Sequence, residues 1–253
     1  MKKLLTLFAL TLLLSCTSCY IAMADETTDS LIKQGDETFA SYHLDTGNIQ
    51  KSISLYQEAY KHDPKNLSAL IKLAKANSIY GDIVAKNDSE KDRYYEQGKI
   101  WAAKAIALDP RSAQAQLWYF VNLGKILKHK DMFTAMGNFS DLKSHIFRAY
   151  ELDPNDAMIA DALGVFYRDI PDIMGKDMTK SESYIRKAIA LNPNYARAQR
   201  ELAQTLYELK RYKEAKEAAE KVLALTNPSD LAAWTMLDKP KAQELLKELN
   251  GKI

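Results

Sequence analysis

The sequence predicts an all-α fold: a solenoid of antiparallel helix pairs, roughly ten to twelve helices in all, with elongated connections inside some pairs. Three observations lead there. Five of the seven prolines close one recurring phrase. A second helical pattern follows each of those prolines. No segment alternates apolar and polar residues with period two for long enough to make a strand. Only nine of the 253 residues are glycine, which disfavours glycine-rich cofactor loops and turn-dense β folds.

The phrase first reads Tyr56-Gln-Glu-Ala59-Tyr-Lys-His-Asp63-Pro64, then Ala102-Ala-Lys-Ala105-Ile-Ala-Leu-Asp109-Pro110. It returns as Ile146-Phe-Arg-Ala149-Tyr-Glu-Leu-Asp153-Pro154 and as Ile185-Arg-Lys-Ala188-Ile-Ala-Leu-Asn192-Pro193. A fifth copy, ending at Asn227-Pro228, has Val222 in place of the alanine and one extra residue. Such a phrase is a helix ending. The alanine permits a close approach of two helices, and large apolar residues three or four positions earlier cover the same face. Proline pushes the residue before it out of the α region and lacks an N–H, so the helix stops. Asp or Asn there is also suited to capping the next helix.

The prolines are spaced by 46, 44, 39 and 35 residues. The surplus in the earlier units belongs between the two helices of a pair or lengthens them, with 81–92, 128–138 and 168–179 as candidates. After the prolines, residues 157–167 carry Leu163, Gly164 and Tyr167, and residues 196–207 carry Leu202, Ala203 and Leu206. Gly164 and Ala203 fit a tight crossing within a pair. In the first unit, residues 31–35 and 37–40 compete for the first helix. Residues 238–250 read as an amphipathic cap with Ala242, Leu245, Leu246 and Leu249 on one face, covering the otherwise wet end of the stack. Five units fit residues 26–228, and 26–250 form one continuous domain.

Charge and cysteine speak to address. Lys plus Arg number 35 and Asp plus Glu 33, and the surplus pair, Lys2 and Lys3, stands before the run Leu4 to Leu14. The remainder is neutral, which argues against a nucleic-acid footprint. Cys16 and Cys19 are the only cysteines, so the body has no thiol chemistry. Residues 1–24 have the pattern of a secretory leader. Two processing readings compete: cleavage after Ala24 at Ala22-Met23-Ala24, or lipidation of Cys16 at Leu13-Leu14-Ser15-Cys16. An uncleaved anchor is a third. All three place the body outside the cytoplasm, in the periplasm, and the second tethers it to a membrane by lipid.

The repeat resembles the tetratricopeptide repeat (TPR), two antiparallel helices per unit. Two further stretches are more specific. Trp118-Tyr-Phe-Val-Asn122-Leu-Gly124 follows the second Asp-Pro, and Leu163-Gly-Val-Phe-Tyr167 follows the third, ahead of Ile170-Pro171-Asp-Ile-Met-Gly175-Lys-Asp177. That order is similar to the T component of tripartite ATP-independent periplasmic (TRAP) transporters, although Asp172 and Lys176 stand where that family has glycines. It also runs toward the helical family of regulators of microtubule dynamics. The transporter resemblance implies an exported accessory protein that engages a periplasmic substrate-binding protein or transporter subunit, and through it a small hydrophobic or anionic ligand. The alternative is a scaffold for envelope or outer-membrane assembly.

Nothing in the sequence names an enzyme. Phosphate-binding, dinucleotide, nucleophile-elbow and H-E-x-x-H motifs are absent, and His43, His62, His129 and His145 do not pair at i,i+4. No catalytic residue, metal ligand or cofactor is expected, and partners are protein rather than nucleic acid. The repeat register puts Lys75, Gln114, Leu117, Val121, Lys125, Asp161, Val165, Arg168, Arg200, Gln204 and Tyr207 on the inner groove. Lys75, Lys125, Arg168 and Arg200 would give it a positive stripe suited to a carboxylate or an acidic peptide. Trp118, Asn122 and Lys125 share one helix face. The plainer reading makes Trp118 core, lets Asn122 bond across a helix pair and leaves the cations on an ordinary surface. The Met-rich connections 128–138 and 168–179 must pack on something, either over the groove or on a partner.

Overall fold

The computed structural model describes residues 27–252, so both leader positions, Cys16 and Ala24, lie outside the described residues. The described chain is helical, with no strand among its residues. Five pairs follow one another. They are α1 (27–40) with α2 (Gly47–His62), α3 (Leu67–Ile83) with α4 (Asp88–Leu108), α5 (Ala113–Leu127) with α7 (Phe139–Leu152), α8 (Ala157–Asp169) with α9 (Met178–Leu191), and α10 (Ala196–Glu208) with α11 (Tyr212–Ala224). One helix, 27–40, covers both stretches that competed for the first position.

The repeated phrase does what its chemistry requires. Ala59, Ala105, Ala149 and Ala188 are completely buried, as is Val222 in the fifth copy. In the first four copies the Asp or Asn before proline leaves the α region and ends its helix, its N–H still donating to the carbonyl of the repeat alanine at 2.9–3.0 Å. The expectation that the same residue caps the following helix is corrected. Its side chain instead accepts from the N–H two residues on, as in Asp63 to Lys65 and Asp109 to Arg111, both 2.9 Å, closing an Asx turn. The next helix is capped separately, by Asn66, Ser112 and Asp156.

The surplus residues are absorbed in three ways. In the second pair they lengthen the helices to 17 and 21 residues, so most of 81–92 is helix rather than loop. In the third pair they form an extra short helix, α6 (Met132–Gly137), capped by Asp131. In the fourth pair they form a 3-10 turn, Asp172–Met174, closed by Gly175 in the left-handed region at φ 94°. Within that pair Gly164 makes the tight crossing. A Cβ there would meet Ser181 O at 2.9 Å and Ile185 Cγ1 at 2.6 Å.

After α11 the chain does more than cap the stack. Residues Leu231–Ala233 form a helical turn (α12), Trp234–Asp238 a π turn, and Lys239–Leu249 a final helix (α13). α13 buries Ala242, Leu245 and Leu249 in the C-terminal core with α10 and α11. The segment before it takes a different course. Ala232 is buried in the N-terminal cluster of Phe39, Tyr42, Ile53, Tyr56 and Ile79, and Met236 and Leu237 pack against that cluster. The chain's end therefore reaches back across the solenoid to its beginning.

Candidate binding groove

The first helices of the second to fifth pairs face a common inner chamber. α3 supplies Lys75, Ile79 and Asp82, α5 supplies Trp118 and Lys125, α8 supplies Val165 and Arg168, and α10 supplies Arg197, Arg200 and Glu201. Residues 229–241 form the remaining wall, through Asp230, Leu237, Asp238 and Lys241 among others, and a partly open cavity of about 290 Å³ lies between them. Lys75, Lys125, Arg168 and Arg200, assigned to the groove by repeat register, all line this chamber. Their charges, however, are not a free positive stripe.

Each of the four cations is matched within the chain. Lys75 Nζ lies 3.7 Å from Asp230 Oδ2 and over the Phe39 ring. Lys125 Nζ lies 2.6 Å from Asp82 Oδ2 and donates to Ser78 Oγ at 2.7 Å. Arg200 Nε donates to Asp238 Oδ1 at 2.8 Å and Nη2 to Glu201 Oε1 at 2.7 Å. Arg168 is buried and holds Glu201 and Asp169 at 2.9 and 2.8 Å. Burial alone would raise the Glu201 carboxyl, but Arg200, Arg168 and Arg197 outweigh it and hold the group well below its ordinary range. The same balance, with Lys125 opposing burial, holds Asp82 low.

The other singled-out residues fall as follows. Trp118 is buried with Ala74 and Ala102. Asn122 is fully buried, and its Nδ2 donates to Trp118 O at 2.8 Å and across to Ala74 O at 3.3 Å. Tyr207 packs on the C-terminal core beside Tyr212, with Lys252 Nζ over its ring at 4.5 Å.

Two residues matter more than sequence reasoning allowed. Arg197 Nε stands 3.1 Å from Asp161 Oδ2, yet neither that nitrogen nor either Asp161 oxygen makes a well-aligned hydrogen bond. Burial pushes the Asp161 carboxyl up to about 7, although Arg197 opposes it. A lone carboxylate in the apolar run Ile159-Ala160-Asp161-Ala162-Leu163 was the available signal.

The Met-rich connections do not close over the groove; the C-terminal segment does that. Instead α6 and the 3-10 turn flank a second, apolar pocket of about 290 Å³, lined by Phe120, Phe139, Leu142, Phe166, Ile170 and Met174. Beside it Phe133 and Ile173 are 86% and 80% exposed. Among the described residues no group of three His, Cys, Asp or Glu side chains is placed to hold a metal ion, and no helix is long and apolar enough to cross a membrane.

A family model for regulator of microtubule dynamics protein 1-3 matches residues 31–173, more than half of the chain. The chain belongs to this family. The matched stretch runs from within α1 to just past α8 and includes 118–124, 163–167 and the beginning of 170–177. A tetratricopeptide repeat model matches 175–239, which holds α9, the pair α10 and α11, and the returning segment. Regulator of microtubule dynamics protein 1 of Bos taurus is 23% identical over 228 residues, which is 84% of this chain and 69% of that protein. The Pongo abelii protein of the same name is 22% identical over 190 residues, which is 69% of this chain and 58% of that protein. Among solved structures, a thermophilic TPR protein of Thermus thermophilus superposes with a TM-score of 0.65 at 17% identity, covering 89% of this chain and 98% of that one. The TPR solenoid is thereby shown as the fold.

Proposed function

We propose that this chain is a non-catalytic, exported interaction protein whose protein partner docks on the apolar edge made by α6 and the 3-10 turn. The observation that carries it is the pair of exposed side chains, Phe133 and Ile173, beside a pocket lined by Phe120, Phe139 and Phe166. Large apolar side chains exposed next to an apolar pocket mark interaction sites on repeat scaffolds. Export rests on residues 1–24 alone, with Cys16 or Ala24 as the processing point. The finer form of this reading is an accessory role beside a TRAP-type solute transporter, with a substrate-binding protein or transporter subunit as partner. It is supported by the order of the 118–124 and 170–177 motifs. Envelope-assembly scaffolding is its alternative.

A second reading takes the role in the relatives' name, regulation of microtubule dynamics, and is favoured by the family match over 31–173. One experiment separates them. A photo-crosslinking residue replaces Phe133 in vivo, with Lys61 on α2 as control position. A specific adduct with a transporter component or an envelope-assembly protein supports export and the first reading. An adduct with a filament subunit supports the second. A protein that crosslinks equally from both positions contradicts docking at this edge.

A further inference from the structure

The inner groove already holds a peptide, and the peptide is this chain's own. Residues 230–238 read Asp-Leu-Ala-Ala-Trp-Thr-Met-Leu-Asp, an apolar helical stretch between two carboxylates. Its two ends are read by cations from opposite parts of the solenoid, Asp230 by Lys75 on α3 and Asp238 by Arg200 on α10. Between them Ala232 is buried against the N-terminal cluster, while Trp234 Nε1 donates to Val222 O at 2.8 Å.

We propose that the groove is a receptor for an apolar helical segment flanked by two carboxylates, with residues 230–238 as its resident occupant. A partner's segment of the same pattern takes their place. The proposal goes beyond the interaction reading, since it adds a partner site in the inner groove to the one at the α6 edge.

Three features favour a displaceable occupant. The segment is irregular: Lys239 N donates to Trp234 O, five residues back, in a π turn. Leu231 remains 49% exposed, and the Lys75–Asp230 contact is the long one at 3.7 Å. A cavity of about 290 Å³ persists beneath the segment, walled by Arg197 and Lys241, so the groove is not filled by it. Charge complementarity selects the occupant: carboxylates at both ends meet Lys75 and Arg200. A partner is favoured over a second copy's segment because α13 follows directly and buries Ala242, Leu245 and Leu249. Exchange between copies would drag that helix out, whereas a partner requires only residues 230–238 to lift.

The probe is a fluorescent peptide reproducing residues 228–240, titrated into the full chain by anisotropy. The double variant Asp230→Asn/Asp238→Asn loosens the resident segment. It should bind the peptide at least about tenfold more tightly than the unaltered chain. A peptide with Asn at both carboxylate positions should lose about that factor, as should Lys75→Ala in the loosened background. A folded double variant that binds no better than the unaltered chain overturns the proposal, and so does a charge-free peptide that binds equally well. If the double variant does not fold, hydrogen exchange on the unaltered chain decides. Amides of 231–238 exchanging ahead of those in α3 and α10 support lifting, and exchange only with global unfolding overturns it. Neither result depends on crosslinking at Phe133, so failure of this proposal is distinguishable from failure of the interaction reading.

Discussion

Arg168 Nη2 lies 2.9 Å from Glu201 Oε2, and both side chains are only 6% exposed. The pair joins α8 to α10, and Arg168 Nη1 adds bonds to Glu201 O and Thr205 Oγ1 at 3.3 and 3.4 Å. A cation that reads from sequence as a ligand-binding residue is thus committed to holding two repeats together. Removing one partner leaves the other buried with only its remaining contacts, Asp169 for Arg168 and Arg200 for Glu201, at a cost of about 1–3 kcal/mol. Glu201→Gln and Arg168→Met should each lower stability on that scale in urea unfolding. The double variant Arg168→Met/Glu201→Leu should recover much of the loss. Single variants within about 0.5 kcal/mol of the unaltered chain would mean that the pair is not structural.

Asp161 gives the groove a pH signature. Its folded-state carboxyl titrates near 7 against an ordinary value of 3.8, so the folded state favours the protonated form. Its contribution to stability is fully present below about 4 and is lost as pH rises from there through about 7. Asp161→Asn cannot ionise and escapes that loss. Melting temperatures measured from pH 4 to 8 should show the unaltered chain declining relative to Asp161→Asn across this window. Parallel curves would show that Asp161 is ionised throughout.

The crossing at Gly164 admits no side chain without movement, because one of the nearest atoms is the backbone oxygen of Ser181 at 2.9 Å. Gly164→Ala should cost about 1–3 kcal/mol through forced separation of α8 from α9, despite alanine's better helix propensity. Gly137 has no atom within 4 Å of an added Cβ. Gly137→Ala should be neutral or slightly stabilising, and thermal melts of the two variants provide the comparison.

Phe133 and Ile173 make a prediction of the opposite kind. With so little of either side chain buried, Phe133→Ser and Ile173→Ser should leave the melting temperature within a degree or two, on the scale of about 0.5 kcal/mol for surface changes. Partner capture should fall sharply in the same variants. Loss of stability with capture intact would place these side chains in the fold rather than at an interface.

Much of the fold is legible in the sequence because helix endings are local chemistry. The Ala–Pro phrase fixes where helices stop and which residue is buried, and Ala59, Ala105, Ala149 and Ala188 all obey it. The groove's position follows from repeat register, and Lys75, Lys125, Arg168 and Arg200 do face it. What they bond to does not follow, since Glu201 and Asp238 are thirty or more residues away from Arg168 and Arg200 respectively in chain order. Periodicity ranks a charged side chain as solvated until a long-range partner is known. The return of residues 230–238 to the N-terminal cluster is equally hidden, because a single non-repeated segment carries no internal register. Its signal is residual: Leu231, Ala232, Trp234, Met236 and Leu237 have no repeat to pack in, and two aspartates bracket them.

The central claim is that the C-terminal segment closes the inner groove by packing on the first two helix pairs. Methyl-directed NMR on the full chain, with Ala232 assigned by its Ala232→Gly variant, tests it most directly. Cross-peaks should link the Ala232 methyl to protons of the Phe39, Tyr42, Ile53 and Ile79 cluster. Cross-peaks from Ala232 confined to α11 and α13, with none to that cluster, would contradict the account.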